Sequence, residues 1–113
     1  MRVFNEAQFY HETTDATGGT ETLYTETLDL AHALGYSLHY VVTKASGTVG
    51  GTIITQKSND NITWYDVTTK NLTDATQQDS IEVVDVFYRY LRAKITLTGG
   101  VSTTNISATT KGV

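Results

Sequence analysis

The side chains best suited to chemistry are few and poorly placed for it. The histidines, His11, His32 and His39, share no spacing that would bring two of them to one metal ion. His39 also falls on the polar side of an alternating run, where solvent is its natural neighbour. Asp60 and Asp66 lie on the same predicted hairpin, so an acid pair for hydrolysis has to be considered there. Acid catalysis would need one of them raised in an apolar pocket, and a turn aspartate rarely has such surroundings. Gly47-x-x-Gly50-Gly51 has the look of a phosphate loop, but a Thr/Ile run follows it, not a helix whose amides could cradle an anion. Asn59 and Asp60 could hold calcium only with help from backbone carbonyls, and the EF-hand spacing is absent. No Gly-x-Ser-x-Gly is present, and with Cys 0 there is no thiolate nucleophile, disulfide or thiolate zinc site. These residues predict no catalytic set, no cofactor and no metal.

The elements that would carry any site are strands. Thr occurs 22 times, Val 10 and Ile 6, about a third of the 113 residues, and Tyr 7, Phe 3 and Trp 1 add to them. Such side chains lose rotamer freedom in a helix and pack well on a pleated sheet. The clearest alternation is Leu91–Leu97, with Leu91, Ala93, Ile95 and Leu97 on one face and Arg92, Lys94 and Thr96 on the other. Extended backwards, it puts Phe87 and Arg89 on the Leu91 side and Tyr88 and Tyr90 on the polar side. Ser37–Lys44 sets Leu38, Tyr40 and Val42 against His39, Val41 and Thr43. Further strands are predicted at Phe4–Tyr10, Thr22–Leu30, Gly51–Lys57, Thr63–Thr68, Ser80–Val86 and Asn105–Thr110. Turn signals lie at Gly18-Gly19, Gly50-Gly51, Gly99-Gly100 and Ser58-Asn59-Asp60-Asn61, the last being the strongest hairpin signal. Asp29–Gly35 reads as a loop with at most one helical turn. About eight strands with no linker between them predict a single antiparallel β-sandwich or jelly roll over residues 1–113, with 1–20 as an N-terminal arm and loop.

A net charge of −4 and a pI near 5.1 argue against binding nucleic acid through its phosphates. No apolar run reaches membrane-span length, and no signal peptide is recognisable, so no membrane partner is expected.

Ile54–Val67, followed by Tyr88-Arg89-Tyr90-Leu91-Arg92, resembles the Ser-Asn-Asp-Gly–Trp hairpin and the Arg-Tyr-x-Arg strand of discoidin-type jelly rolls. The combination also resembles small β-sandwich virion proteins of tailed bacteriophages, with Leu28–Leu30, Gly35–Leu38 and Gly47–Thr52 as the elements before it. The resemblance spans roughly residues 22–110. It departs at Asn61, where the pattern prefers Gly, although Asn also reaches the left-handed region. The sugar- and lipid-binding loops of discoidin domains have no matching motif here. The resemblance implies a non-enzymatic structural protein of the virion, synthesised in the host cytoplasm. Its role would be capsid decoration against the major capsid protein, or an accessory position at the neck or tail. A carbohydrate-binding module, with a glycan as ligand, is the second reading.

Trp64, brought back by its hairpin, is expected to anchor one end of the core. The outward row Tyr88, Tyr90, Arg92 and Lys94, with Phe4, Phe9 and Tyr10 in the N-terminal arm, is the predicted partner interface. Tyr and Arg bring area and hydrogen bonds together at such contacts. A homo-oligomer, a trimer above others, is the expected assembly.

Overall fold

The computed structural model describes residues 3–15, 20–31 and 33–112. Among these there is no helix. Nine strands run in order: β1 (Val3–Asp15), β2 (Thr20–Tyr24), β3 (Leu28–Asp29), β4 (Ala33–Ser46), β5 (Gly50–Ser58), β6 (Tyr65–Leu72), β7 (Gln77–Val83), β8 (Tyr90–Thr98) and β9 (Val101–Gly112). One sheet has the order β1-β9-β4-β7 and the other β2-β8-β5-β6, with β3 also on β8, and every pairing is antiparallel. The pairs nest: β1 with β9, β2 and β3 with β8, β4 with β7, β5 with β6. A single long hairpin, folded at residues 59–64 and rolled into two layers, has this pairing, which is the jelly-roll form of the predicted sandwich. Strands of 13, 14 and 12 residues (β1, β4 and β9) account for the 47 Å long axis at about 3.3 Å per residue.

The alternation seen in sequence decides the two inner faces. Tyr36, Leu38, Tyr40, Val42 and Ile106 from one sheet meet Ile53, Leu91, Ala93, Ile95 and Leu97 from the other, each at most 4% exposed. His39 points outward, as its position predicts, and its Nε2 lies 2.9 Å from Ser37 Oγ. The predicted strand Thr22–Leu30 is an interrupted edge, β2 and β3. Thr25 bridges the gap by exchanging bonds with Ala93: its amide donates to the Ala93 carbonyl at 2.9 Å and its Oγ1 accepts from the Ala93 amide at 2.8 Å.

The turns divide between expected and unexpected. Gly99 and Gly100, at φ 62° and 64°, join β8 to β9 as predicted. Gly50 and Gly51 instead open β5. Gly51 sits at φ 122° against β8, where a Cβ would overlap the carbonyl oxygen of Thr96, so glycine is needed for close approach within the sheet and not for a turn. The Gly18-Gly19 signal and His32 lie outside the described residues. The segment after Asp29 is a short turn, with the Ala33 amide donating to the Leu30 carbonyl at 2.9 Å.

The predicted arm carries β1. Phe4, Phe9 and Tyr10 stand opposite Lys111, Ile106 and Asn105 of β9. Their side chains lie outside the described part of the structure.

Candidate interaction surfaces at the outer sheet face and the hairpin end

Among the described residues, two surfaces combine aromatic area with polar groups: the outer face of the β2-β8-β5-β6 sheet, and the end of the sandwich where the β5–β6 hairpin projects.

On the outer face, strand alternation puts Tyr90, Arg92 and Lys94 in one row, as expected. Arg92 is already occupied. Its guanidinium carbon lies 4.4 Å from the ring centroid of Tyr24 on β2 and 4.2 Å from that of Trp64, so the cation is stacked between two aromatics. Its Nε donates to Gln56 Oε1 at 2.8 Å, and Gln56 Nε2 donates to Asp66 Oδ1 at 2.9 Å. The chain Arg92–Gln56–Asp66 crosses β8, β5 and β6, and the Tyr24–Arg92–Trp64 stack covers it. Gln56 is consequently 7% exposed although it belongs to an outer face. Trp64 therefore does not anchor the core. It lies over the outside of the sheet, because the stacked guanidinium offers its large ring a partner there.

The predicted row breaks at its other end. β8 starts at Tyr90, since its neighbours stop there, at Asp29 of β3 and Ser58 of β5. Residues 84–89 are a loop, and without a neighbour strand the alternation is lost. Tyr88, expected outward, turns in: its ring meets Tyr36 edge-on, with centroids 6.4 Å apart, and the two hydroxyls are 2.7 Å apart. Burial raises both phenols, Tyr36 well above the usual tyrosine range. Phe87, expected inward, is 90% exposed. Arg89, expected on the buried side, is exposed and makes a 3.4 Å ion pair with Asp29.

At the hairpin end, Ser58–Asn61 forms the predicted turn and needs no ion to hold it. Asp60 Oδ1 accepts from the amides of Ile62 (2.9 Å) and Thr63 (2.8 Å) and from Ser58 Oγ (2.9 Å). Ser58 Oγ accepts in turn from the amide of Asn61 (2.9 Å), which takes the left-handed φ of 60°. These donors hold the Asp60 carboxyl down at about 2. An acid catalyst needs the opposite shift, so Asp60 is unsuited to be the acid of such a pair. The Gly47–Gly51 segment likewise serves the fold: the Val49 amide donates to Asp74 Oδ1 at 2.9 Å.

Between this hairpin and the 84–89 loop lies a groove of about 680 Å³. Lys57 and the inward Tyr88 form part of its lining, the ammonium 5.8 Å from the ring centroid. Asn59, Asp60 and Asp66 line the hairpin side, and Tyr65 and Phe87 add two open rings. The groove is not legible in the sequence, because alternation puts Phe87 on the buried face; the one signal is Phe87 itself, next to the Val84-Asp85-Val86 run.

The fold and these surfaces define an all-β jelly-roll domain with aromatic, polar exteriors. No protein-family model and no curated protein sequence matches the chain. Solved structures do match in fold. One is the SPBc2 prophage-derived protein YomS, with a TM-score of 0.58 and 11% identity over 99% of this chain and 96% of that one. Another is the PBSX exported protein XepA, with a TM-score of 0.61 and 16% identity over 100% of this chain and 37% of that one. A third is the Gx strain of infectious bursal disease virus, with a TM-score of 0.62 and 9% identity over 98% of this chain. This chain spans 32% of the viral chain it matches. The structural neighbours thus include phage-derived and viral proteins of β-sandwich fold.

Proposed function

We propose that this chain is a non-enzymatic structural protein of a tailed-bacteriophage particle, and specifically a decoration protein that binds the assembled shell and stabilises it. The observation that carries the reading is the end-to-end jelly-roll likeness to a prophage-derived protein of nearly the same extent. The pre-stacked Tyr24–Arg92–Trp64 face supports it, since Tyr, Arg and Trp dominate the energetics of protein contacts and here they are held in place before binding. A decoration protein acts by mass action: it binds assembled shell in preference to free subunits. A homo-oligomer, with a trimer as the proposed state, multiplies modest contacts through avidity. Its partners would be the major capsid protein or proteins of the neck or tail.

The experiment uses particles of the phage or prophage that encodes the chain, stripped of it and then re-loaded with the purified protein. Expected are saturable binding that changes little between low and physiological salt, and release of the genome at a higher temperature with the protein than without it. Arg92→Ala should reduce occupancy. Absence of the protein from purified particles, or particles equally heat-stable with and without it, would overturn the reading.

A further inference from the structure

We propose that the groove between the β5–β6 hairpin and the 84–89 loop is a binding site for a neutral oligosaccharide, adjoining the outer-face stack through Asp66 but lined by other rings. The first ground is a gain that the fold leaves unused. Burying an aromatic ring stabilises a domain, yet Phe87 is 90% exposed and Tyr65 is 61% exposed. Both rings line the same concavity, one from each of the two segments that bound it. The second ground is its mixed lining. Among the described residues, the Asn59 amide and the Lys57 ammonium have no hydrogen-bond or ion-pair partner, and Asp66 is engaged only through Oδ1. Amide, ammonium and carboxylate are what sugar hydroxyls pair with, both as donors and as acceptors. The C–H face of a pyranose suits an open aromatic ring.

Charge narrows the class. One ammonium, Lys57, faces two carboxylates, Asp60 and Asp66, so phosphates and anionic sugars are disfavoured. Rigidity supports the same conclusion. Asp60 and Ser58 satisfy the hairpin backbone internally, and the Tyr36–Tyr88 hydroxyl pair fixes the floor, so little ordering entropy is lost on binding. Its volume of about 680 Å³ is within the range of small-molecule sites.

The test is isothermal titration of the purified chain with cellohexaose, xylohexaose, maltohexaose and chitohexaose, with a heparin oligosaccharide as the anionic comparison. At least one neutral hexaose should bind with a dissociation constant in the micromolar to millimolar range. Phe87→Ala and Asp66→Asn should each weaken that binding about tenfold or more, equivalent to about 1.4 kcal/mol. Phe87→Ala should leave the melting temperature unchanged, which separates a binding defect from a folding one. Three results would each overturn the proposal: no neutral probe bound at millimolar concentration, binding indifferent to both substitutions, or tighter binding of heparin. The assay involves no particle, so its failure leaves the decoration reading standing, and failure of the particle assay leaves the groove standing.

Discussion

Single atoms decide two outcomes that can be measured directly. Thr104 is 1% exposed, and its Oγ1 is buried without a hydrogen-bond partner among the described residues. A buried hydroxyl that has lost water and gained nothing in exchange costs about 1–3 kcal/mol. Thr104→Val keeps the shape and removes the polar atom. It should raise stability by about 1 kcal/mol in denaturant titration, and a loss of stability would mean that the hydroxyl has a partner. Asp60 provides a pH handle. Its carboxyl is held at about 2 against an ordinary 3.8, chiefly by the amides of Thr63 and Ile62. A carboxylate depressed in the folded state stabilises the fold above its unfolded value, and that contribution disappears as acid protonates it. The melting temperature should therefore fall as pH drops from about 3.8 towards 2. Asp60→Asn cannot ionise and should show a shallower fall in that window, with Asp74 and Asp79, also held low, supplying the remaining slope. Parallel curves for the two proteins would show that the Asp60 carboxylate is not coupled to folding.

At the scale of elements, two positions tie strands together in ways that invite substitution. Gly51 must be bare where β5 meets β8, at a φ of 122° that side chains rarely adopt. Gly51→Ala should cost about 3 kcal/mol or more, combining backbone strain with the clash on Thr96. A near-neutral result in thermal unfolding would refute the packing described. Arg92 joins three strands and the β5–β6 turn through its two rings and Gln56, and Arg92→Ala should cost about 1–2 kcal/mol. The same change should red-shift the emission of Trp64, the single tryptophan, as its ring loses its cover. Lysine cannot replace Arg92, because an ammonium has no flat face to stack. These two positions also mark the limit of what the sequence makes legible. Strand positions and inner faces follow from period-2 alternation, which is local, so Leu38–Val42 and Leu91–Leu97 were readable. The Asn61 turn was readable for the same reason. Arg92 reads as an outward charge because its partners lie far away in sequence, Tyr24 and Gln56 on other strands and Trp64 in the β5–β6 turn, and only the folded sheet brings them together. Period-2 alternation puts Tyr88 and Phe87 on the wrong faces because it holds only while a neighbour strand supports it. That support ends where Asp29 and Ser58 stop pairing with Tyr90. The groove, built on those two residues, was hidden for this reason.

The whole molecule is one rolled hairpin, and that topology should govern how it folds. β5 and β6 pair within a short stretch of chain, Gly51 opposite Leu72 and Lys57 opposite Tyr65, whereas β1 and β9 pair Val3 with Gly112. Loop-closure entropy rises with the length of chain enclosed, so the inner pair is the cheapest to close and the outer pair gains most from waiting. A sandwich dominated by such distant pairings should fold in milliseconds to seconds. The order of assembly is open to test with two conservative cavities. Ile53 on β5 and Ile106 on β9 are both buried, 0% and 1% exposed. Ile→Val at either should cost about 1 kcal/mol, enough to divide between folding and unfolding rates. If the tip hairpin and its layer nucleate folding, Ile53→Val slows folding with little change in unfolding. Ile106→Val then accelerates unfolding and leaves the folding rate almost untouched. Stopped-flow fluorescence of Trp64, which sits between the inner hairpin and β8, reads both arms. Should Ile106→Val slow folding as much as Ile53→Val, the outer strands are already paired at the barrier, and closure from the tip outward is not the route this chain takes.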